Sequence, residues 1–393
     1  MNRNIGKLIQ MNDSAFYVFD IKELKNRIAY LKSKLPDVSL CYAVKANPMI
    51  TGEIMDDLPR FEICSPGEAR ICQRLGVDTE KMVISGVYKT PAFIEETAAD
   101  PDFKGIFTVE SMRQYDLLCA LSEKYGRTLQ VLLRLTNGSQ FGINASDIEE
   151  IIAKRENHPG IVLKGIQFFS GTQKTSLKKF ARELSHLDQF LIHLKETLGY
   201  EAEELEYGTG FPVSYFKDEE LDEDALLDGF TGILREMISH PKITLELGRS
   251  IAASCGRYYT HVVDMKQNKG QNYLLTDGGM HHIVYFGQHM AMKHPFLSVV
   301  GKETPENGTS WTICGSLCSM NDIIVKQAVL PDIEVGDVIC FEKTGAYCMT
   351  EGIALFLTRD LPALYIQRED ESVYCIRSTF ETEELNMPEY ERI

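Results

Sequence analysis

The sequence has no long apolar segment, no basic block and no paired cysteine motif, and each absence narrows what the protein can be. No apolar run approaches the roughly 18 residues that a membrane-spanning helix requires. The formal net charge is −16 and the lysines and arginines form no cluster, which argues against nucleic acid or an anionic membrane as a partner. The N-terminus lacks the apolar core of a signal peptide.

The ten cysteines are scattered along the chain without the spacing of a disulfide framework. Cys314 and Cys318 lie four residues apart, but no second pair of cysteines or histidines stands at metal-site spacing. His281 and His282 are adjacent, and adjacent residues of a strand point to opposite faces, so a loop or substrate-contact role is favoured over a metal site. We therefore expect a reduced, cytoplasmic protein without a bound metal.

The composition, 44% hydrophobic and 25% charged over 393 residues, is that of a globular chain with room for about two domains. From 20 to 252, eight short β-branched runs alternate with segments of helical periodicity. Eight such units predict a (β/α)8 TIM barrel of the α/β class, although the run at 203–207 is acidic and weak. The strand candidates are 38–44, 61–64, 82–85, 105–109, 129–135, 162–169, 203–207 and 243–247, and the main helical segments are 66–75, 110–124, 145–155, 177–198 and 224–238.

From 253 to 393 the pattern changes to closely spaced β runs without long helices, which predicts a C-terminal all-β domain. We expect residues 1–19 to supply a further strand of this domain, through the run at 16–19. The segment 287–307 is predicted to be a long loop, and loops of that length are commonly functional. The β runs are 258–265, 272–276, 310–313, 323–328, 338–341 and 365–367.

Lys45 follows the strand-like run 41–44 and precedes Ala46-Asn47-Pro48, which cannot continue a strand. Barrel enzymes have their active sites at the carboxyl ends of the strands, where this lysine stands. Its apolar neighbours are expected to desolvate the amine and lower its pKa, which frees the nucleophile for a Schiff base. Most lysines at strand ends are simply solvated, so this assignment depends on the other strand ends.

The other predicted strand ends carry residues that suit an anionic cofactor. Glycines there let backbone N–H groups approach a phosphate closely. Glu246 is an acid that either supports a protonated pyridine nitrogen or pairs with Arg249. A Schiff-base lysine, a phosphate site and this acid together indicate pyridoxal 5'-phosphate. The strand-end candidates are Glu62, Arg134, Phe169, Thr172, Gly208, Thr209, Gly210, Glu246, Gly248 and Arg249.

Five motifs, taken in order, resemble those of the fold-type III pyridoxal-phosphate decarboxylases, the group of diaminopimelate, ornithine and arginine decarboxylases. The resemblance extends from about residue 14 to 366. It implies an alanine-racemase-like barrel with a β domain, and a head-to-tail homodimer with shared active sites. The motifs are Tyr42-Ala43-Val44-Lys45-Ala46-Asn47, Cys64-Ser65-Pro66-Gly67-Glu68, Glu246-Leu247-Gly248-Arg249, Gly315-Ser316-Leu317-Cys318 and Gly345-Ala346-Tyr347.

The resemblance also implies roles for single residues. Lys45 would hold the cofactor aldehyde as a Schiff base, and Glu246 would pair with the pyridinium. Cys318 would be the acid that returns a proton to Cα after carbon dioxide leaves. The residues that the resemblance places near the phosphate are Gly210, Gly248, Arg249 and Tyr347.

Several positions depart from the family pattern. Phe169 stands where the family usually has histidine; it can stack on a ring but cannot donate a hydrogen bond. The glycine-rich loop reads Gly208-Thr209-Gly210 instead of three glycines, and Leu247 replaces a proline. None of these changes removes the lysine, the acid at the pyridine or the proton donor.

The predicted substrate contacts differ more. Ser319 replaces the acid that in this group binds the distal amine of a diamino acid, and burying an ammonium without an acid costs several kcal/mol. The stretch 277–283, which contains His281 and His282, lacks the arginine segment of diaminopimelate enzymes. Together with Gly171-Thr172-Gln173, it is similar to decarboxylases that act on γ-glutamyl groups tethered to a carrier protein.

The sequence therefore predicts a homodimeric pyridoxal-phosphate α-decarboxylase for an amino acid or for an aminoacyl group on an acyl-carrier protein. Diaminopimelate decarboxylase, an enzyme of lysine biosynthesis, is the alternative within the class. A catalytically silent homologue that binds a protein partner is the alternative of another class. A racemase is the weakest of these hypotheses.

Overall fold

The computed structural model describes residues 3–389, which form two compact units. The first, here called the barrel unit, comprises residues 28–212 and 221–251; the second, the sheet unit, comprises residues up to 27, 213–220 and those from 252 onwards. Within the described residues, no helix is both long enough and apolar enough to cross a membrane.

Within residues 3–389 the two units contain seventeen strands and eleven α-helices. The strands are β1 (Phe16–Asp20), β2 (Ser39–Ala43), β3 (Arg60–Ile63), β4 (Met82–Ile84), β5 (Ile106–Val109), β6 (Leu129–Arg134), β7 (Ile161–Phe169), β8 (Glu204–Gly208), β9 (Lys242–Leu247), β10 (Gly256–Asn268), β11 (Gln271–Thr276), β12 (Leu297–Val299), β13 (Thr309–Cys314), β14 (Ile323–Leu330), β15 (Val338–Glu342), β16 (Ala363–Gln367) and β17 (Val373–Arg377). The helices are α1 (Arg3–Met11), α2 (Ile21–Lys34), α3 (Thr51–Ile54), α4 (Pro66–Leu75), α5 (Pro91–Ala99), α6 (Met112–Tyr125), α7 (Ala145–Ala153), α8 (Leu177–Leu198), α9 (Glu223–Arg235), α10 (Arg249–Ala252) and α11 (Glu383–Asn386).

The barrel unit is a closed parallel barrel of eight strands, β2 to β9 in chain order, with β9 paired to β2. The predicted (β/α)8 fold is thus confirmed, and each predicted strand lies within two residues of an observed one. Helix boundaries follow local capping. Helix α4, for example, begins after Ser65, whose hydroxyl accepts from the Glu68 N–H, and ends at Gly76 with φ 78°.

The acidic strand β8 is explained by the barrel interior. Glu204 and Glu206 are buried there, and the Arg60 guanidinium contacts both carboxylates, at 3.0 Å for Glu206. Gln167 on β7 donates to Glu206 at 3.2 Å and also to Glu246 on β9. A polar network therefore occupies positions that apolar residues commonly fill in such barrels.

The sheet unit contains a mixed sheet in the order β14-β13-β11-β10-β1-β16-β17, with β15 paired to β10 and β12. Strand β1 pairs antiparallel to β10 and parallel to β16, as the run at 16–19 predicted. One expectation was wrong in detail, because the predicted loop 287–307 contains β12; helix α1, which precedes β1, was not predicted. Strand β12 has only three residues, too few to show the alternation of apolar and polar residues that predicts a strand, so its pairing with β15 could not be predicted from the local sequence.

We predict that Arg60→Met destabilises the protein strongly, because two buried carboxylates lose their cation. Removing one partner of a buried ion pair costs about 3–5 kcal/mol. The control is Arg235→Met, since that guanidinium is 65% exposed and pairs with exposed Asp37 at 3.3 Å; such pairs contribute about 1 kcal/mol or less. Urea unfolding measures both variants. Equal losses in the two would contradict a stabilising role for the buried network.

Candidate active site

Lys45 lies just beyond the first barrel strand. Strand β2 ends at Ala43, and the lysine is the central residue of a 3-10 turn, Val44–Ala46, that continues it. The flanking residues Val44 and Ala46 are buried, which leaves the lysine as the side chain that turns outward at the carboxyl end of the barrel.

The Lys45 amine is held by an acid instead of being desolvated. Its Nζ lies 2.6 Å from Oε2 of Glu62 and 3.4 Å from Sγ of Cys64, whose thiol is 3.3 Å from the other Glu62 oxygen. The lysine side chain is 43% exposed, so the prediction that apolar neighbours bury it was wrong. Burial raises the pKa of Glu62, but the nearby Lys45 ammonium more than offsets this and holds the pKa below its usual value.

A second acid, Glu246, has its pKa shifted in the opposite direction to that of Glu62. It is partly buried on β9, where Gln167 donates to it. Burial raises the pKa of Glu246 well above the usual value, and the charges of Glu62 and Glu206 act in the same direction. An acid of this kind takes up a proton or pairs with a cation supplied by a ligand.

Two loops at the same end of the barrel approach each other through glycines. Gly210 has φ 59°, and a Cβ there would overlap the carbonyl oxygen of Gly171. A Cβ on Gly208 would overlap the ring of Phe169 and lie 3.2 Å from a Glu246 oxygen. Thr209 needs no positive φ and is fully buried. The substitution of threonine for glycine is therefore accommodated.

Lys174 is a site residue that sequence reasoning missed. Its buried Nζ donates to Ser170 Oγ at 2.9 Å, to Glu183 Oε2 at 2.9 Å and to Tyr207 OH at 3.1 Å. Its backbone N–H donates to the Gly210 carbonyl at 2.9 Å. All three ammonium hydrogens are used, so Lys174 fixes the loop 170–173 against the Gly210 loop. An isolated lysine after a loop gives no sequence signal for this role.

Arg134 and the missed residue Lys89 form another buried group. Arg134 donates to Glu110 at 2.9 Å, and its guanidinium lies 4.8 Å from the Phe141 ring. Lys89 donates to the Gly86 carbonyl at 2.8 Å, and burial lowers its pKa to about 8. Arg134 therefore already has a protein carboxylate as its partner, which favours an indirect role over the predicted direct contact with the cofactor.

The loop that carries Cys318 and Ser319 belongs to the sheet unit. Buried Asp322, another missed residue, accepts from the Leu317 and Met280 N–H groups at 2.7 Å each. Ser319 Oγ accepts from the Asn321 N–H at 3.2 Å. The Cys318 side chain is exposed, which excludes the alternative that it is a small buried hydrophobe.

The histidine pair lies in a turn, in agreement with the predicted loop role. Strand β11 ends at Thr276, and a turn brings the two imidazole rings 3.8 Å apart, so they do not point to opposite faces. His282 contacts Tyr258 OH at 3.1 Å and the Asp360 carbonyl at 2.7 Å. Both of its nitrogens are thus engaged, which argues against its predicted substrate contact. Burial lowers the pKa of His282 to about 4 and that of His281 to about 3.

The remaining candidates divide between the two units. Tyr347 is partly buried, with φ 64°, in the turn after β15 of the sheet unit. Thr172 is exposed in the barrel unit, and Arg249 is buried at the start of α10. The candidates that the barrel unit places at strand ends or in the loops after them are Lys45, Glu62, Arg134, Phe169, Thr172, Gly208, Thr209, Gly210, Glu246, Gly248 and Arg249.

This geometry defines a barrel enzyme with a strand-end lysine, a glycine-lined loop pair and an acid that requires a cation. The family model of the pyridoxal-dependent decarboxylases, pyridoxal binding domain, matches residues 21–253. The chain belongs to this family: it is a pyridoxal-phosphate-dependent decarboxylase, a carbon-carbon lyase.

Its relatives differ in substrate. The chain is 24% identical to diaminopimelate decarboxylase of Aquifex aeolicus over 88% of this chain and 84% of the relative. It is 25% identical to L-glutamyl-[BtrI acyl-carrier protein] decarboxylase of Niallia circulans over 93% and 91%. The solved diaminopimelate decarboxylase of Methanocaldococcus jannaschii matches with TM-score 0.85 at 22% identity, covering 96% of this chain and 92% of that one. This likeness supports the fold.

The barrel residues fit pyridoxal phosphate. Lys45 would supply the amine, and the raised pKa of Glu246 suits an acid that would meet a protonated ring nitrogen. Gly210 permits a loop approach that a side chain would prevent. These three observations match the cofactor's aldehyde, its pyridine and its phosphate.

We predict that Glu246→Gln stabilises the cofactor-free protein at neutral pH. Folding raises the pKa of this carboxyl above its value in the unfolded chain, about 4.5. Its contribution to stability is therefore fully present below the unfolded pKa and is lost as the pH rises through the folded-state pKa. The melting-temperature gain of the variant is therefore expected at pH 7 and should vanish towards pH 4.5. Thermal unfolding across this range measures it, with the exposed Glu150→Gln as control. A gain that does not depend on pH would contradict the assignment.

We also predict that Lys174→Met weakens cofactor binding through the phosphate. The variant loses the three bonds that fix the loop 170–173, so we expect about a tenfold rise in the dissociation constant of pyridoxal phosphate. Pyridoxal, which lacks the phosphate, should be affected much less. Equilibrium dialysis with both compounds tests this, with exposed Lys178→Met as control. Equal losses for the two compounds would show that Lys174 acts only on general stability.

Proposed function

We propose that this enzyme removes the α-carboxylate of an amino acid, or of an aminoacyl group on an acyl-carrier protein, with Lys45 as the residue that binds the cofactor aldehyde. The observation that carries this proposal is a pair of acids at the carboxyl end of the barrel whose pKa values are shifted in opposite directions. Glu62 lies 2.6 Å from the Lys45 amine and has a lowered pKa, whereas Glu246 has a raised pKa and would be stabilised by a cation.

The roles proposed for the barrel residues follow from their chemistry. Pyridoxal phosphate, when bound, supplies an electron sink for the pair of electrons that the departing carboxylate leaves on Cα. Glu246 would stabilise a positive charge at the ring nitrogen, and Phe169 would pack against the ring. Glu62 would keep the Lys45 amine in place during exchange with the substrate amine. The proposed phosphate ligands are Thr172, Gly208, Thr209, Gly210, Gly248, Arg249 and Tyr347, and Arg134 would act through Glu110.

We assign the return of a proton to Cα to Cys318. Its thiol is exposed, and the loop that carries it is fixed by the Asp322 carboxylate through Leu317 and Met280. A fixed backbone with an outward thiol suits a donor that must meet a substrate atom. The domain boundary proposed for the cofactor-binding domain is 20–252, with the β domain at 253–393.

The proposed substrate has no distal ammonium, because Ser319 stands where an acid would bind one. The relative from Niallia circulans acts on a glutamyl group carried by a protein, and a relative from Staphylococcus aureus, 25% identical over 374 residues, acts on a 2-hydroxybutanedioate derivative. Diaminopimelate is the alternative substrate, favoured by the relative from Aquifex aeolicus. We further propose a cytoplasmic homodimer with shared active sites; a silent protein-binding homologue is less consistent with the retained Lys45–Glu62 pair.

Carbon dioxide release from a substrate panel tests this proposal. The panel comprises diaminopimelate, ornithine, lysine, arginine, glutamate and a carrier-tethered γ-glutamyl group. We expect release from the tethered group, with at least a thousandfold loss in Lys45→Ala and no loss in the exposed control Lys154→Ala. Borohydride reduction followed by peptide mass mapping should find the pyridoxyl group on Lys45.

The outcomes separate the hypotheses. Release from diaminopimelate alone would identify the alternative substrate. A pyridoxyl group on Lys45 without carbon dioxide from any compound would support the silent homologue. A pyridoxyl group on another lysine would overturn the assignment of Lys45. Analytical ultracentrifugation of the holoenzyme tests the dimer.

A further inference from the structure

Lys45 and Cys64 occupy equivalent positions beyond two neighbouring barrel strands. Strands β2 and β3 pair in parallel, with Ala43 opposite Glu62. Lys45 and Cys64 each lie two residues after their member of this pair, so the parallel register brings both to the same level at the carboxyl end of the barrel. Nζ of Lys45 is 3.4 Å from Sγ of Cys64. Two nucleophilic side chains are therefore in contact.

The backbone of Cys64 is fixed, whereas the lysine side chain has room to move. The Cys64 N–H donates to Oε2 of Glu68 at 2.7 Å, and a Cβ on Gly86 would overlap the Cys64 carbonyl oxygen. The thiol is partly exposed, which gives a small oxidant access to it. The Lys45 side chain is 43% exposed and has a flexible four-carbon stem. The lysine can therefore close the gap between nitrogen and sulfur without a change in the barrel.

One carboxylate contacts both groups. Oε2 of Glu62 is 2.6 Å from the Lys45 amine, and Oε1 accepts from the Cys64 thiol at 3.3 Å. Burial and the charges of Glu62 and Glu68 raise the pKa of Cys64, while the Lys45 ammonium lowers it; Lys89 is the other cation near the thiol. Because the thiolate is the reactive form, oxidation at this position should become faster as the pH rises.

We propose that Cys64 and Lys45 form a covalent modification site, in which a peroxide oxidises the thiol and the Lys45 amine then bonds to the sulfur. In the first step the sulfur attacks one peroxide oxygen, the O–O bond breaks, and Cys64 becomes a sulfenic acid while the other oxygen leaves as water. In the second step the neutral amine attacks the sulfur and the S–O bond breaks. The hydroxide leaves with an amine proton as a second water, and the product is a sulfenamide, which has an S–N bond.

This cross-link has two consequences for the site. It holds the sulfur at a reversible oxidation level, since a sulfenic acid that stays free is oxidised further to irreversible products. It also occupies the amine that the proposed function gives to pyridoxal phosphate, so the cofactor and the cross-link exclude each other. Only this exclusion rests on the proposed function; the cross-link itself rests on the contact between nitrogen and sulfur.

Peptide mass mapping of the full-length protein after removal of the cofactor tests the inference. The protein is treated with hydrogen peroxide and digested with trypsin without a reductant. Trypsin does not cleave at Lys45 once its amine is bonded, so the expected product joins residues 35–60 to residues 61–70. It is lighter than the two peptides together by two hydrogen atoms. A disulfide between Cys41 and Cys64 would instead join residues 35–45 to 61–70, because Lys45 would still be cleaved.

Three comparisons establish that the product is the proposed one. It should disappear after treatment with dithiothreitol and should not form in Cys64→Ser, whereas Cys375→Ser, which removes an exposed thiol, should form it as the unmodified sequence does. A Cys64 that is oxidised to a sulfinic acid or to a disulfide without a bond to Lys45 would overturn the inference. So would the absence of the linked product at a peroxide dose that fully oxidises Cys375.

Adding pyridoxal phosphate separates this inference from the proposed function. At a cofactor concentration about 100 times the dissociation constant, about one protein molecule in a hundred is free, so the cross-link should form about a hundredfold more slowly. A cross-link that forms equally fast with the cofactor would support the modification site and contradict the assignment of Lys45 to the cofactor. Carbon dioxide release by a protein that forms no cross-link would support the proposed function and overturn the modification site.

Discussion

An excess of carboxylate inside the barrel is the constraint on which the site depends. Glu204 and Glu206 share the Arg60 guanidinium deep in the barrel, and Gln167 links Glu206 to Glu246 nearer the carboxyl end. Because buried charges are expensive without partners, one arginine for several acids leaves the outermost acid short of positive charge. Burial, together with the charges of Glu62 and Glu206, raises the pKa of Glu246, so a protonated ring nitrogen beside it would be favourable. Residues in the barrel interior, such as Glu206, thus influence the pKa of an acid in the proposed cofactor site.

The same electrostatics gives the two acids of the site different functions. Glu62 has Lys45 at 2.6 Å and stays charged, so it positions the amine. Among the contacts described, Glu246 accepts a hydrogen bond from Gln167 and has no lysine within hydrogen-bonding distance, so it is the acid proposed to meet the ring nitrogen. Fixed loops complete the site. Lys174 uses all three of its ammonium hydrogens in hydrogen bonds that fix the loop 170–173. A buried lysine whose ammonium hydrogens are all bonded is a poor nucleophile, which supports the proposal that Lys45 is the reactive amine of the two.

Features with a local sequence signal were predictable. Barrel strands and capped helices follow from short-range patterns, and helices α4 and α8 begin and end at the predicted residues. The interior network was not predictable, because Arg60 and Glu204 are 144 residues apart and meet only when the barrel closes. The histidine pair lies in a turn, in agreement with the predicted loop role, but the strand rule of opposite faces that was used against a metal site does not apply to His281 and His282 there. Desolvation of Lys45 failed as a prediction because its flanking residues Val44 and Ala46 are buried while its own side chain is exposed.

Family membership and substrate choice are carried by different parts of the chain. The matched region, 21–253, contains Lys45, Glu62 and Glu246, so it accounts for the cofactor and the reaction class. It excludes the loop 315–319 and the histidine pair, which carry the residues proposed to contact the substrate. Relatives at 24–25% identity include enzymes of different substrates, so overall similarity does not discriminate among them. The proposal that the substrate has no distal ammonium rests instead on one position outside the matched region, because the uncharged Ser319 supplies no acid to pair with such a group.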